Sequence, residues 1–232
     1  MQAITTIGFD ADDTLWDHEK YFVSTKERFV TLLAPFADTG EAASRLHDIE
    51  IGNVGLYGFG VKSFTLSMVE TAIALTSGTV PASVIAEIVE LGRAMLTHPV
   101  TPYPGVQETL AALAPTHKLL VVTRGDLVDQ ERKLAASGLL GYFAEIEIVS
   151  DKTEAVYRRI FGRHGDGPER AMMIGNSMRA DITPALAAGV WGVHVPSDYV
   201  WSLDLDTEPV GAERFRRLRT ISEVVPLVRE IG

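Results

Sequence analysis

Three aspartates directly follow the first apolar segment of the chain and are the first residues whose spacing points to chemistry. Asp10, Asp12 and Asp13 come after an apolar run that ends at Phe9, a pattern that predicts a buried strand opening into a polar turn. In extended backbone, residues two apart point to the same side, so Asp10 and Asp12 are expected to face one site. Because neighbouring carboxylates repel each other and are costly to bury, a metal cation would stabilise them. An acidic turn in which Asp13 and Thr14 begin a helix explains these residues equally well.

The composition is that of an acidic globular protein. Of the 232 residues, 46% are hydrophobic and 22% are charged, and the formal net charge of −10 argues against a nucleic-acid partner. The absence of cysteine excludes disulfides, thiolate metal sites and a cysteine nucleophile. No stretch is apolar enough to span a membrane, and no signal peptide is recognisable. We therefore expect a cytoplasmic protein with no membrane partner, of unknown oligomeric state.

The segment after the first strand has the pattern of helices. Apolar positions at helical spacing predict helices over residues 18–33, 41–51, 61–75 and 81–96. Residues 52–60 are rich in glycine and are expected to form a loop. Tyr57, Phe59 and Lys62 in and beside this loop are candidates for covering a ligand. Four helices with short connections predict a small bundle.

The remainder of the chain alternates between helices and strands. Strands are expected over residues 117–122, 146–149, 171–174 and 191–195, with helices between them. Nearly continuous apolar strands separated by helices predict an α/β fold with a Rossmann-like parallel sheet covered on both faces. We expect residues 1–16 and 99–232 to form this core, and residues 17–98 to be inserted into it as a helical-bundle domain.

Polar residues follow the next three predicted strands, where open α/β sheets bind their ligands. They are Thr123, Arg124 and Gly125 after the second strand, Lys152 after the third, and Asn176 and Asp181 after the fourth. The first group offers a hydroxyl and backbone amides that can cradle an anion. Lys152 precedes a helix, where its charge and the helix N-terminus would both attract a phosphate. Each residue alone is also compatible with a turn, a surface charge or a helix cap, but their joint placement favours one site.

In order and type, these residues resemble the four motifs of the haloacid dehalogenase (HAD) superfamily of hydrolases. The matching segments are residues 10–14, Thr123, Lys152 and residues 175–181. The helical insert resembles the C1 cap domain of that family. The resemblance implies a magnesium-dependent phosphatase of a small phosphorylated metabolite, working through an aspartyl-phosphate intermediate.

The resemblance also implies a role for each motif residue. Asp10 would attack phosphorus as the nucleophile, and Asp12 would protonate the leaving oxygen and later take a proton from water. The phosphoryl oxygens would be held by Thr123, the amides of Arg124 and Gly125, and Lys152. Mg²⁺ would be bound by Asp10, the Asp12 carbonyl group, Asn176 and Asp181.

Three features depart from the commonest form of these motifs. Asn176 stands where aspartate is usual, so it keeps an oxygen donor but lacks a charge, which predicts weaker metal binding. Arg124 stands where asparagine is frequent, and it would either add a cation for the substrate or point outward. Lys152 lacks the neighbouring prolines often found in its motif, so its assignment rests on its position before a helix.

Three alternatives to a phosphatase stay open. A 2-haloacid dehalogenase also forms an aspartyl ester, but on carbon, and needs neither the second aspartate nor magnesium, so Asp12 argues against it. A phosphomutase is compatible with the same residues. A binding module of the HAD fold without turnover is the third alternative, and the presence of both acids and Lys152 argues against it.

Overall fold

A parallel β-sheet is the frame of the structure, a computed structural model that describes residues 3–231. Its strands are β1 (Thr6–Phe9), β2 (Lys118–Arg124), β3 (Glu145–Val149), β4 (Ala171–Gly175), β5 (Trp191–His194) and β6 (Phe215–Arg217). Their order across the sheet is β3-β2-β1-β4-β5-β6, and each neighbouring pair is parallel. β1 therefore pairs with β2 on one side and β4 on the other. Ligands of open α/β sheets bind beside such a switch in strand order.

Five α-helices lie between β1 and β2 in the described chain, and one α-helix lies in each of the connections from β2 to β5. The α-helices are α1 (Glu19–Leu33), α2 (Thr39–Tyr57), α3 (Val61–Leu75), α4 (Ala82–Leu96), α5 (Val106–Leu113), α6 (Leu127–Ser137), α7 (Glu154–His164), α8 (Thr183–Ala187) and α9 (Val224–Ile231). The predicted α/β fold with a Rossmann-like parallel sheet is confirmed. Across the described residues, no helix has the length and apolar character needed to cross a membrane.

The chain divides into two compact units. The α/β unit contains the described residues up to Glu19, Val100–Arg124, and the chain from Gln130 onward. The helical unit contains Lys20–Pro99 and the short segment Gly125–Asp129. The first turn of α6 therefore groups with the helical unit, although the rest of α6 belongs to the α/β unit.

Alternating strand residues build an apolar layer on each face of the sheet. Ile7, Phe9 and Val121 belong to the cluster on one face, while Leu120 belongs to the cluster that includes Phe161 of α7 on the other. Gly8 lies in the middle of β1, and a Cβ atom added there would lie 2.9 Å from the Phe161 ring. The absence of a side chain at this position therefore lets α7 pack closely on the strand that leads to Asp10.

The helical unit has its own apolar core. Its buried residues come from all four long helices and include Phe29, Phe64, Met68 and Ile88. Each of these helices contributes at least one apolar side chain to the core, whereas Ile51 of α2 and Ile73 of α3 are exposed. This unit therefore buries enough apolar surface to form a core of its own.

The expectation of a loop over residues 52–60 is wrong in its first part, because α2 continues to Tyr57. Asn53 is buried and donates to Ser67 Oγ at 3.0 Å and to Glu70 Oε2 at 2.9 Å, and the Tyr57 hydroxyl donates to Glu70 Oε1 at 2.8 Å. These bonds to α3 offset the loss of roughly 1 kcal/mol for each glycine inside a helix. The helix ends only at Gly58, whose φ of 73° favours glycine.

Candidate active site

Asp10 follows β1 directly, and its carboxylate shares one lysine with Asp181. The Lys152 Nζ atom lies 2.5 Å from Asp10 Oδ1 and 2.6 Å from Asp181 Oδ1, and all three side chains are buried. Burial raises the pKa of Asp10 to about 7, and the charge of Asp181 adds to this effect while Lys152 opposes it. Burial alone would lower the pKa of Lys152, but the two carboxylates raise it. Two acids and one ammonium leave an excess of negative charge that a cation would stabilise.

A tight turn after β4 brings Asp181 to this cluster. Ser177 Oγ accepts a hydrogen bond from the Ala180 amide, and the Ser177 amide donates to Asp181 Oδ2 at 2.9 Å. A π-helical turn over Met178–Ile182 then places Asp181 against Gly175. A Cβ atom on Gly175 would overlap the Asp181 carboxylate. Glycine at position 175 is therefore required for Asp181 to reach Lys152.

Asn176 shows where a metal ion would fit. One atom of its side-chain amide lies 3.2 Å from Asp10 Oδ2 and 3.3 Å from the Asp12 carbonyl oxygen. If this atom is the nitrogen, it donates a hydrogen bond to both oxygens. If it is the oxygen, three oxygen atoms converge, an arrangement that a hard cation stabilises. The amide nitrogen at this position satisfies both oxygens, and a cation bound here would be met by the amide oxygen instead.

The donor set fits Mg²⁺, which prefers oxygen ligands and retains several waters. It combines the carboxylates of Asp10 and Asp181, the Asp12 carbonyl and the Asn176 amide. Among the described residues, no three His, Cys, Asp or Glu side chains converge to form a metal site by themselves. A magnesium ion here would therefore depend on backbone and amide oxygens, as the replacement of aspartate by Asn176 predicts.

The Asp12 carboxylate has a separate set of partners. Trp16 Nε1 donates to Oδ1 at 2.8 Å, Gln130 Nε2 donates to Oδ2 at 2.8 Å, and Lys133 Nζ lies 2.7 and 2.6 Å from the two oxygens. His18 Nε2 lies 3.5 Å from Oδ2. Burial would raise the pKa of Asp12, but the charges of His18 and Lys133 and the hydrogen bonds hold it well below its usual range.

Asp13 organises the turn that carries these acids. Its φ of 59° is left-handed, a conformation that aspartate tolerates better than most residues. Its carboxylate accepts from the His18 amide at 2.9 Å and from the Glu19 amide at 3.0 Å, so it caps the start of α1. Burial raises the pKa of Asp13 to about 7 despite these bonds. Asp13 therefore has a structural role in the turn.

Thr123 and Arg124 form the carboxyl end of β2, and Thr123 is buried. The Arg124 guanidinium pairs with the Asp204 carboxylate at 2.5 Å, and the Ser177 hydroxyl donates to the same oxygen at 2.7 Å. The Asp204 carboxylate thus ties the C-terminal segment around it to the end of β2 through Arg124 and to the turn after β4 through Ser177. Its side chain is engaged within the protein, whereas its backbone amide is the group that the sequence assigned to phosphate.

Gly125, the third residue of the predicted anion cradle, groups with the helical unit. It has a φ of 136°, which favours glycine.

In the helical unit, Lys62 Nζ contacts both carboxylate oxygens of Asp126, at 3.0 and 2.9 Å. Tyr57 is bonded to Glu70 at the end of α2, and Phe59 follows that helix.

The structure brings together in the α/β unit the five residues that the sequence places at strand ends: Asp10, Asp12, Lys152, Asn176 and Asp181. Some of the residues that support this cluster were not predicted from the sequence: Thr14, Trp16, Gln130 and Lys133 bond to its members, and Asp204 bonds to Arg124 and Ser177. Thr14 lay within the first motif and could have been noticed. Gln130 and Lys133 are spaced three residues apart on one face of α6, but nothing local marks a charged residue of a helix as buried.

Comparison with known proteins gives the family. A model of the family described as haloacid dehalogenase-like hydrolase matches residues 4–189. A haloacid dehalogenase-like family hydrolase from Xanthomonas campestris is 39% identical, with a TM-score of 0.88 over 99% of this chain and 92% of that one. L-2-haloacid dehalogenase from Xanthobacter autotrophicus has the same fold, with a TM-score of 0.67, 19% identity, and coverage of 99% of this chain and 100% of that one.

A curated relative is matched over a shorter length. Glyceraldehyde 3-phosphate phosphatase from Methanothermobacter thermautotrophicus is 30% identical over 104 residues, which are 42% of this chain and 46% of that protein. The match therefore spans less than half of the relative. From the extent of the family match, together with the four strand-end motifs on a parallel sheet, the chain belongs to the haloacid dehalogenase-like hydrolases.

Proposed function

We propose that this hydrolase is a magnesium-dependent phosphatase of a small phosphomonoester. The observation that carries the proposal is the arrangement of Asp10, Lys152 and Asp181, in which one buried ammonium contacts both carboxylates. Such a site needs a further cation to bring a phosphate dianion beside an ionised nucleophile. The presence of Asp12 beside it adds a second group able to transfer a proton.

The proposed reaction has two steps. An Asp10 oxygen attacks phosphorus, the bond from phosphorus to the leaving oxygen breaks, and Asp12 gives that oxygen a proton. Water then attacks phosphorus and gives a proton to Asp12, the bond to Asp10 breaks, and inorganic phosphate leaves. The donors around Asp12 favour its ionised form, which is the form that the second step requires. The first step requires a protonated Asp12, so we expect substrate binding to release one Asp12 oxygen from a donor, which lets that oxygen take up a proton from water before it passes the proton to the leaving oxygen.

The phosphoryl oxygens would be bound at the end of β2 and by Lys152. The Thr123 hydroxyl and the backbone amides of Arg124 and Gly125 would donate to them, and Lys152 would supply the positive charge. These groups do not need to move a proton. Their part in the reaction is to stabilise the charge on the transferred group and to hold it in line with Asp10.

Magnesium would be held by Asp10, the Asp12 carbonyl, Asn176 and Asp181. When bound, the ion would offset the negative charge between nucleophile and phosphate. The convergence of the Asn176 amide on two oxygens and the raised pKa of Asp10 both support this placement. The protein residues alone leave that charge uncompensated.

The substrate class is a small phosphorylated metabolite in the cytoplasm. The curated relative is named as a phosphatase of glyceraldehyde 3-phosphate, which supports a small aliphatic phosphomonoester. Residues 17–98 would serve as the cap domain. Within it, Tyr57, Phe59 and Lys62 are the proposed candidates for substrate contacts.

A 2-haloacid dehalogenase is the second candidate, because a solved structure with that activity in its name has the same fold. At 19% identity this likeness concerns the fold alone. Asp12, held by Trp16, Gln130 and Lys133, favours the phosphatase, because displacement of a halide ion needs no proton donor.

The deciding experiment measures phosphate release from a panel of small phosphomonoesters, including glyceraldehyde 3-phosphate, with magnesium and with chelator. We expect release that needs magnesium and that disappears in Asp10→Asn, a variant that keeps the size of the side chain. Halide release from 2-haloacids without metal would move the protein to the dehalogenase branch. Near-normal magnesium-dependent activity in Asp10→Asn would contradict the proposed mechanism.

A further inference from the structure

Two neighbouring residues of α6 hold the Asp12 carboxylate from one side. Gln130 and Lys133 are three residues apart and so lie on the same face of the helix. Both are buried, with 2% and 3% of their surface exposed, which is unusual for a lysine on a helix. A buried ammonium is stable only when it is paired, so the position of Lys133 depends on an anion at Asp12.

The arrangement of donors fixes the orientation of the carboxylate as well as its charge. Lys133 Nζ is almost equidistant from the two oxygens, at 2.7 and 2.6 Å. Trp16 holds Oδ1 and Gln130 holds Oδ2, each at 2.8 Å. Rotation of the carboxylate about its Cβ–Cγ bond would stretch bonds to all three donors. The group is therefore held in one plane.

Gln130 also connects Asp12 to the end of β2. Its Nε2 atom donates to the Arg124 carbonyl oxygen at 2.9 Å as well as to Asp12. One amide group thus sets the distance between the acid and the backbone that follows Thr123. The Gln130 side chain therefore fixes the position of the Asp12 oxygens relative to the backbone proposed to bind phosphate.

Lys133 differs from Lys152 in what it contacts. Lys152 lies between the nucleophile Asp10 and Asp181, whereas Lys133 contacts both oxygens of Asp12. Each of the three acids is therefore paired with one of these two lysines. Loss of Lys152 would remove a group proposed to bind phosphate, whereas loss of Lys133 would leave those groups in place and remove a donor to both oxygens of Asp12.

We propose that Lys133, supported by Gln130, is a positioning residue that aims the Asp12 carboxylate at the leaving group. This inference rests on the proposed function, since it presumes that Asp12 transfers a proton. It assigns Lys133 no contact with the substrate. Its effect on the reaction passes entirely through Asp12.

The experiment compares two substrates that differ in their need for a proton. An alkyl phosphate has a leaving oxygen that must be protonated, whereas p-nitrophenyl phosphate has a leaving group that departs as an anion. The value of kcat/KM reports the steps up to cleavage of that bond. We expect Lys133→Met to lower kcat/KM for the alkyl phosphate at least tenfold more than for p-nitrophenyl phosphate. Lys133→Arg, which keeps a cation, should recover part of the loss.

A double-mutant cycle tests whether the effect passes through Asp12. Lys133→Met should slow the unaltered chain but have less than a twofold further effect in Asp12→Asn, because the double variant lacks both charges of this ion pair. Lys118→Met is the matched control, since Lys118 is a half-exposed lysine whose amine is 3.9 Å from Glu145. It should show no difference between the two substrates. Equal losses on both substrates, or a full loss in the Asp12→Asn background, would overturn the proposal.

Unfolding by urea, together with the activity assay, distinguishes failure of this inference from failure of the proposed function. If no phosphomonoester is hydrolysed by the unaltered chain, the proposed function fails and the positioning role fails with it. Coupling between Lys133 and Asp12 in the free energy of unfolding would then mark the pair as structural. If the chain is active but Lys133→Met shows no preference between leaving groups, only the positioning role is wrong.

Discussion

Thr14 and Asn176 are joined by hydrogen bonds although 162 residues separate them in the chain. The Asn176 backbone amide donates to Thr14 Oγ1 at 3.0 Å, and the hydroxyl lies 3.2 Å from the Asn176 side-chain amide. The bond fixes the backbone of Asn176 beside Asp10, and its side-chain amide lies 3.2 Å from Asp10 Oδ2. Metal binding is therefore expected to depend on the donor that this side chain supplies.

Replacing Asn176 by aspartate tests how metal binding depends on the side chain at this position. The added charge should tighten magnesium binding by about tenfold, because affinity for a hard cation rises with the number of anionic ligands. Without metal the same variant should be less stable than the unaltered chain, because a third carboxylate joins Asp10 and Asp181. Calorimetric titration with Mg²⁺ and thermal unfolding in chelator measure the two effects. Asn53→Asp, at another buried asparagine, is the control and should leave magnesium binding unchanged.

Gly175→Ala tests the close approach of Asp181. The new methyl group would overlap the Asp181 carboxylate, and overpacking of this kind costs about 1–3 kcal/mol. We also expect magnesium to stabilise the variant less than the unaltered chain, because Asp181 must move. Urea unfolding with and without Mg²⁺ gives both quantities. Gly162→Ala in α7 has no atom within 4 Å of the added methyl group, so it should change stability by less than about 1 kcal/mol.

The pair of Arg124 and Asp204 should contribute to stability as a unit. Both side chains are 16% exposed, and loss of either partner leaves the other charge half-buried. In a double-mutant cycle of Arg124→Met and Asp204→Asn, we expect a coupling energy of about 1 kcal/mol or more. The exposed pair Glu154–Arg158 should give a coupling below about 0.5 kcal/mol. Additive losses for Arg124 and Asp204 would show that the pair does not stabilise the C-terminal segment.

Asp13 should make stability depend on pH. Its pKa is raised to about 7 in the folded protein from an ordinary value of 3.8, chiefly by burial, so the folded state binds the proton more tightly. The resulting stabilisation is fully present below about pH 4 and is lost as the pH rises toward 7. In chelator, the free energy of unfolding should therefore fall over this range, and Asp13→Asn should fall less steeply. Asp10 contributes with the same sign, so Asp10→Asn should remove a further part of the slope. An unchanged slope in Asp13→Asn would contradict this expectation.

Local patterns in the sequence predicted the sheet and the residues at its strand ends. Short apolar runs identified β2 and β4 because buried parallel strands are apolar on both faces, and the polar residue after each run marked the edge where open α/β sheets are expected to bind ligands. The C-terminal part of α2 was not predicted, because the destabilising effect of its two glycines is offset by hydrogen bonds from Asn53 to α3. Tertiary contacts of that kind leave no periodic signal.

The environment of Asp12 was hidden for the same reason. Gln130 and Lys133 are 118 and 121 residues away from Asp12 in the chain, and a lysine on an amphipathic helix usually faces solvent. The ion pair of Arg124 with Asp204 is likewise a contact between distant segments, 80 residues apart. Sequence spacing therefore located the chemical groups, whereas their partners depend on how the strands are arranged in space.

The position of β1 between β2 and β4 sets the order in which the protein can mature during synthesis. Residues 6–9 pair with residues 118–121 and 171–174, so the first strand leaves the ribosome long before its neighbours exist. Residues 20–99 are synthesised after β1 and before its partner strands, so their apolar cluster can form before β1 is paired. Asp10 meets Asp181 only when about three quarters of the chain has been translated. A chain terminated before β4 therefore contains Asp10 but lacks Asp181, so the cluster of these two acids around Lys152 cannot form in it.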